Sequence, residues 1–274
     1  MNKKKILTAI LAAIVVASCV ACSRNDVVED NINNEVEAND RADLTVEESH
    51  FTMLEREYPI SFKDKDGETV YVSGNLRKAS VVAYNRVNSK ISKKINAVLS
   101  AAYERHQTSG DELMNYVVEA FKDSSFDKDS VSFPWYINTD YEIDRNDGLI
   151  ISINEKVEYF GGSDVVDSSF CYNFDVKTGE LIRHIMYTEG DDEQRDAADS
   201  LIYEKLKAKY GDVVSYDYVI SSFAEASSDV WTFTDSGIKI VFNAGEVAPY
   251  EEGKMEIEIS KSELPESAMQ YFLS

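Results

Sequence analysis

The clearest pattern in the chain is an alternation of apolar and polar residues over residues 131–143. A period of two is typical of a strand with one buried face. An Asp-Gly turn at 147–148 follows, and apolar residues return over 149–159, which predicts an antiparallel hairpin. Residues 170–176 continue the pattern as a third strand, before a turn at Gly179.

A helical period governs residues 79–103, where apolar side chains recur every three or four positions. The spacing predicts an amphipathic helix with a basic opposite face. Ser109 followed by Glu112 resembles a capping box, which predicts a second helix. The apolar stripe of the first helix is Tyr84, Val87, Ile91, Ile95, Val98 and Ala102, and its basic face carries Arg86, Lys90, Lys93 and Lys94.

Both ends of this region carry further elements. Residues 58–62 and 70–76 read as strands around a turn at 64–67. A helix is predicted to stop near Gly211, because Ala198, Leu201, Ile202 and Leu206 share one face before it. Short strands follow at 231–233, 238–242 and 255–259, and Pro265 suits the first turn of a terminal helix.

Hairpins punctuated by long helices predict an α+β fold. We expect an antiparallel sheet of hairpins with helices packed on one face. The body divides into two structurally coupled halves, an N-terminal strand–helix half at 51–128 and a C-terminal half at 129–274.

The N-terminal segment has the pattern of a secretion signal. Three lysines at positions 3–5 precede an apolar run over 6–16, which is too short to span a bilayer. The small residues and cysteines that follow resemble a bacterial lipobox, so we expect a signal peptide at 1–18 and lipid attachment at Cys19, or at Cys22. The alternative is an ordinary cleaved signal with incidental cysteines. The lipobox implies a bacterial protein on the extracytoplasmic face of the cell membrane.

The net charge of −22 is unevenly spread along the chain. Residues 19–50 are rich in Asn, Asp and Glu with no aromatic residue, which predicts an acidic, disordered tether. The acidity argues against a nucleic-acid partner, whose phosphates need a basic surface. The basic face of the first helix is open to two interpretations, a patch for anionic lipid or wall polymer and a solvated face beside an acidic neighbour.

Catalytic signatures are absent from the sequence. It has no His-Glu-x-x-His, Gly-x-Ser-x-Gly or P-loop motif. His50, His106 and His184 are isolated and read as exposed or satisfied structural residues, and Cys171 reads as a small buried side chain. We therefore expect no enzymatic activity, no cofactor and no metal. A carboxylate pair in a cleft would revive a hydrolase.

Several segments in fixed order resemble one family. They are Tyr-Phe-Gly-Gly at 159–162, Tyr-Asn-Phe-Asp-Val-Lys-Thr-Gly at 172–179, Val-Ala-Pro-Tyr at 247–250, and Ile-Glu-Ile at 257–259 leading to Ser-Glu-Leu at 262–264. This order is similar to the extracellular domain of RsiV-type anti-sigma factors, found also in the non-catalytic part of PdaC-type peptidoglycan deacetylases. Ser163 and Asp164 stand where that family often has a small residue and His, and only residues 1–5 precede the apolar run, so we expect no sigma-binding domain.

The resemblance implies a receptor, since the RsiV ectodomain binds lysozyme. We expect a monomeric, membrane-anchored binding lipoprotein that recognises a lysozyme-like cationic protein or, alternatively, peptidoglycan or wall polymer. The expected contact is the loop formed by Glu246, Val247, Ala248, Pro249 and Tyr250, where a rigid proline and an aromatic ring stand beside acids. Pro249 and Tyr250 could equally end one strand and pack under the next.

Overall fold

A computed structural model describes residues 51–272, apart from 84–87, 124–125, 128–130, 188–189 and 226–230. The predicted signal peptide, Cys19, Cys22, the tether and His50 lie outside the described residues, as do Tyr84, Arg86 and Val87. The elements are β1 (Phe51–Lys63), β2 (Val70–Ala83), α1 (Asn88–Lys122), β3 (Trp135–Asn146), β4 (Ile150–Phe160), β5 (Val165–Asp175), α2 (Asp192–Tyr210), α3 (Tyr216–Glu225), β6 (Trp231–Phe233), β7 (Gly237–Phe242) and β8 (Met255–Ser260).

Strands β1 to β5 form one sheet in chain order, and β6 to β8 form a second. All pairs are antiparallel except β2 with β3, which run parallel from Val72–Trp135 to Asn75–Asn138. Parallel neighbours need a long crossover, and α1 supplies it. The α+β prediction is confirmed. The expected division at 128/129 would separate α1 from β3. Both elements belong to the layered unit that the larger sheet and α1 form.

The helix predicted over 79–103 was wrong at its start. Residues 79–83 continue β2, because this strand pairs with β1 as far as the Phe51–Ala83 contact. The predicted second helix was also wrong, since α1 is continuous and the Ser109 hydroxyl donates to the Arg105 carbonyl one turn earlier, 3.2 Å away. Gly110 lies inside α1 and does not end it. It lets α1 approach the sheet, where a Cβ would lie 2.6 Å from Ile60 Cδ1.

Helix α1 covers one face of the larger sheet. Ile95, Leu99 and Ala102 are fully buried against apolar residues of β2, β4 and β5. The exposed Lys90 and Lys93 lie away from this contact, as the amphipathic pattern predicted. The opposite face of β4 contributes Ile150 to a second core that α2 and the smaller sheet share.

The predicted C-terminal elements are present. Helix α2 begins at an Asp191 cap, whose carboxylate accepts from Gln194 N, and ends at Gly211 with φ of 79°. Pro265 precedes a 3-10 helix, Glu266–Tyr271, in place of an α-helix. Helix α3 was not predicted. None of the described helices is long and apolar enough to cross a membrane.

Buried polar contacts couple the two sheets. Asn173 Nδ2 of β5 donates to the Trp231 carbonyl of β6 over 2.7 Å, and Phe233 N donates to Ser152 Oγ of β4 over 3.0 Å. Lys239 of β7 also reaches Asp144 of β3, with Nζ and Oδ1 2.6 Å apart. Such contacts are costly to break once buried, so they fix how the two sheets sit together.

We expect Gly74→Ala to lower the free energy of unfolding by at least about 2 kcal/mol, because an added Cβ would overlap the Ile137 backbone oxygen on the parallel neighbour β3. Denaturant unfolding followed by circular dichroism measures the change. Ser73→Ala on the same strand adds no atom and should cost less than about 1 kcal/mol. Equal effects of the two substitutions would contradict this account of the β2–β3 contact.

Candidate functional site

The loop that the sequence singled out starts from an anchor on β5. Asn243 Oδ1 accepts from Ser169 N over 2.6 Å, and Asn243 Nδ2 donates to Ser169 O over 3.3 Å. Strand β5 lies at the edge of the larger sheet, so these backbone groups face away from β4. The Asn243 side chain therefore occupies the place that another strand would take and fixes the start of the loop.

Three of the five predicted contact residues hold the loop in shape. Glu246 accepts from Asn243 N over 2.7 Å and from Asn243 Nδ2 over 3.3 Å. Burial raises the pKa of Glu246, and the hydrogen bonds from Asn243 act in the opposite direction. Val247 and Ala248 are buried in the core of the smaller sheet.

Pro249 and Tyr250 form the outward part of this loop. Pro249 is exposed, and 48% of Tyr250 is accessible to solvent. Tyr250 begins a 3-10 turn, Tyr250–Glu252, and its hydroxyl lies 3.5 Å from the Val165 carbonyl. Partial burial, followed by the charge of Asp164, raises the pKa of Tyr250. The ring is thus held at one end and open on its face.

A second exposed apolar segment adjoins the loop. Ser215 N donates to the Val247 carbonyl over 3.0 Å, which joins the start of α3 to the loop. Val219 faces the core with no exposure, so its neighbours along α3 point outward. The exposed apolar side chains of this segment are Val213, Tyr216, Tyr218 and Ile220.

Acidic residues accompany these side chains along the chain. Asp212 precedes α3, Asp217 lies within its first turn, and Glu251 and Glu252 follow Tyr250, all of them exposed. Residues 211–225 and 243–253 contain no Lys or Arg. The two segments together form what we call the acidic aromatic surface: Val213, Tyr216, Tyr218, Ile220, Pro249 and Tyr250, with Asp212, Asp217, Glu251 and Glu252.

Sequence reasoning found the 246–250 half of this surface and missed the 212–220 half. A signal was present, because residues 212–220 contain two tyrosines, an isoleucine and three valines together with two aspartates. Their spacing fits a strand as well as a helix, so the pattern alone could not show which of them are exposed.

A buried polar network lies between α1 and the larger sheet. Glu155 of β4 has no exposed surface and accepts from Tyr141 Oη over 2.6 Å and from Tyr172 Oη over 2.7 Å. His106 Nε2 lies 3.2 Å from Glu155 Oε2, and Arg105 Nη2 donates to Tyr172 Oη over 2.9 Å. Both basic residues belong to α1, so the network ties the helix to three strands.

The network favours an ionised Glu155. Burial acts to raise the pKa of Glu155, but His106 and the two tyrosine hydroxyls outweigh it and hold that pKa below its ordinary value. Burial and the Glu155 charge raise the pKa of Tyr141 and Tyr172 well above the usual range. Since the carboxylate is fully enclosed, the contribution of this network is to hold the fold.

The remaining candidate residues take structural or surface positions. His106 lies within α1 rather than at a helix end, and it is 5% exposed. His184 is exposed beside the Tyr187 ring, with centroids 5.4 Å apart, and Cys171 is buried. Among the described residues, no group of three or more His, Cys, Asp or Glu is arranged to hold a metal ion.

Comparison with known proteins gives a domain without an assigned activity. Residues 187–262 match the model of a family described as "Protein of unknown function (DUF3298)". This region contains α2, α3, all of the smaller sheet and both parts of the acidic aromatic surface. No curated protein matches the chain.

Two solved structures were compared with the chain, both at low sequence identity. A DUF3298 family member from Bacteroides fragilis superposes with a TM-score of 0.54 at 12% identity, covering 81% of this chain and 97% of that one. A DUF3298 family protein from Pseudomonas aeruginosa gives a TM-score of 0.47 at 13% identity, covering 80% and 95%. The first comparison supports a shared fold across both sheets.

We expect Glu155→Gln to cost about 3 kcal/mol of stability at pH 7, because it removes a buried charge from the hydroxyls and imidazole arranged around it. A carboxyl with a lowered folded-state pKa stabilises the protein above its unfolded pKa, and that stabilisation is lost as pH falls through the folded value. The difference from the wild type should therefore narrow below about pH 4, the unfolded carboxyl range. Denaturant unfolding at several pH values measures both effects.

The matched control is Glu158→Gln, at an exposed position of the same strand. It should change the free energy of unfolding by less than about 0.5 kcal/mol. If Glu155→Gln were as mild as this control, the network would not contribute to stability.

Proposed function

We propose that the protein is a membrane-anchored lipoprotein of the extracytoplasmic face that binds a cationic, lysozyme-like protein through the acidic aromatic surface and carries out no reaction on it. The observation that carries the proposal is the joining of the 246–250 loop to α3, which places exposed aromatic side chains within an acidic border. The domain match adds a family but no activity, so the chemistry of this surface is the main support.

The surface has the composition of an interaction site. Tyrosines combine a large apolar area with a polar hydroxyl and often dominate binding energy in protein interfaces. Tyr218 and Tyr250 are 52% and 48% exposed on segments held by backbone and side-chain hydrogen bonds. Segments that are already held in place lose less entropy on binding, so this surface is well prepared for a partner.

The negative charge of the protein favours a basic partner. The two segments that carry the surface, 211–225 and 243–253, contain no Lys or Arg, and the whole chain has a net charge of −22. A field of this sign accelerates the encounter with a basic protein and repels an acidic one. Lysine and arginine side chains of a partner can also stack on exposed tyrosine rings.

The N-terminal segment suits a tethered receptor. Residues 19–50, fully extended, would span roughly 100 Å, and like charges favour extended conformations. A lipid on Cys19 or Cys22 would then hold the binding body at this reach from the membrane.

Wall polymer is the second candidate ligand, and one structural feature favours it. Lys90 and Lys93 are exposed at the start of α1, whereas Lys94 is bound to Glu180 and the Thr178 carbonyl. Two exposed lysines form a smaller feature than the acidic aromatic surface. We therefore prefer a cationic protein over wall polymer as the ligand. Sedimentation with insoluble peptidoglycan, compared between the wild type and Lys90→Gln/Lys93→Gln, separates the two.

We expect the full chain in mild detergent to bind lysozyme with a Kd below about 100 µM, and Tyr250→Ala to weaken it about tenfold, which corresponds to about 1.4 kcal/mol. Glu251→Gln/Glu252→Gln should slow association and reduce its dependence on salt, since exposed charges act mainly on the encounter. Surface plasmon resonance at two salt concentrations measures these constants.

Leu54→Ala is the matched control, because Leu54 is 51% exposed on β1, the edge strand opposite β5. It should leave the Kd unchanged. Binding no tighter than about 100 µM, or equal losses from Tyr250→Ala and Leu54→Ala, would contradict the proposed interface.

We further expect the Cys19→Ala/Cys22→Ala double variant, expressed in a bacterial host, to leave the detergent phase on Triton X-114 partitioning. The wild type should remain in that phase, and globomycin should block its maturation. Each single variant then shows which cysteine is acylated. A double variant that still partitions into detergent would overturn the lipid anchor.

A further inference from the structure

A pocket of about 340 Å³ opens where the two sheets meet the C-terminal segment. Its wall combines the β3–β4 turn, the β6–β7 turn and the segments that follow β8. The volume lies at the lower end of the range for small-molecule sites. The residues that line it are Arg145, Asp147, Gly148, Leu149, Asp235, Lys261 and Phe272.

Arg145 is the unusual member of this set. Its side chain is 6% exposed, its Nε donates to Asp147 Oδ2 over 2.6 Å, and its Nη2 donates to the Tyr271 carbonyl over 2.9 Å. Within the part of the chain that the structure describes, the buried Nη1 has no hydrogen-bond acceptor. A buried guanidinium nitrogen without an acceptor is costly, so a ligand that supplied one would be favoured here.

Asp147 does not supply that acceptor. Its Oδ2 is taken by Arg145 Nε, and its Oδ1 accepts from the backbone nitrogens of Leu149 and Ile150. Burial acts to raise the pKa of Asp147, but these amides and Arg145 hold it below its ordinary value. Asp147 therefore remains ionised and orients the guanidinium.

Lys261 and Phe272 are the other pocket residues that could contact a ligand. The Lys261 ammonium and the Arg145 Cζ lie 5.0 and 5.1 Å from the centroid of the same Phe272 ring. The nearby carboxylate of Glu263 is paired with Lys205, with Nζ and Oε1 2.7 Å apart. Phe272 is only partly buried, and with Leu149 it offers an apolar surface beside the two cations.

We propose that this pocket binds a small organic carboxylate, with its carboxylate on Arg145 and Lys261 and its apolar part against Leu149 and Phe272. A guanidinium presents planar paired donors that match a carboxylate, and the ammonium adds a second charge. The exposed Asp235 lies at the solvent side, where its repulsion is screened.

Isothermal titration calorimetry of the full chain in mild detergent tests the proposal with two probes of equal shape. N-acetyl-leucine carries the carboxylate, and N-acetyl-leucinamide replaces it with a neutral amide. We expect a Kd below about 1 mM for the acid, equivalent to about −4.1 kcal/mol, and at least tenfold weaker binding of the amide. Equal binding of the two probes, or no binding of the acid up to 10 mM, overturns the proposal.

Two variants locate the site. Arg145→Lys keeps the charge but loses the planar paired donors, and it should weaken the acid at least tenfold. Lys261→Gln alters an exposed side chain, so it keeps the fold and should weaken the acid several-fold even if Arg145→Lys is unstable. Lys254→Gln, which removes a partly buried lysine paired with Asp167, should have no effect. Acid binding unchanged by Lys261→Gln, or reduced as much by Lys254→Gln, overturns the assignment.

Discussion

The outer edge of β5 is the constraint on which the arrangement of the molecule depends. An edge strand presents backbone donors and acceptors that need partners, and an open edge invites pairing with another chain. Here the partners come from later in the same chain. The Asn243 side chain binds both groups of Ser169, and Ile182 N donates to the Asn173 carbonyl over 2.8 Å. These contacts attach the segments that follow β5 to the outer edge of the larger sheet.

Closing this edge also shapes the candidate binding surface. Glu246 holds Asn243, Asn243 holds β5, and Val247 both enters the core and accepts from Ser215. Each contact that covers the edge therefore fixes the loop or α3, leaving Tyr250 and Tyr218 outside on a firm support. A surface built in this way presents its aromatic groups on an ordered backbone, which lowers the ordering cost of binding.

How much the sequence could predict follows from the range of each interaction. Strands with period-two alternation, the turn at 147–148 and helix α2 are set by local pattern and were predicted within a few residues. The parallel β2–β3 pair joins segments about sixty residues apart, so no local signal reveals it. Glycine is common at the end of a helix, but Gly110 lies within α1, where it allows close contact with Ile60. Only the packed structure shows this contact.

The candidate sites illustrate the same division. Glu155 occupies an inward position of an alternating strand, between Ile153 and Val157, so its burial could have been inferred from the sequence. Its partners could not, because Tyr141, Tyr172 and His106 come from three other elements. The loop at 246–250 could be identified in the sequence by its proline and tyrosine. The pocket around Arg145 was not, since it combines four segments that only the meeting of the two sheets brings together.

The acidity of the protein has two physical roles, separated by burial. Glu155 is enclosed, and its charge is offset by His106 and two hydroxyls, so its effect is confined to the fold. Asp212, Asp217, Glu251 and Glu252 are exposed, where single ion pairs contribute little to stability but a group of like charges acts over a Debye length. Removing the exposed acids should therefore change encounter rates and leave stability nearly unaltered, whereas removing Glu155 should do the reverse. Because these acids act through different physical effects, net charge alone does not identify the residues that bind a partner.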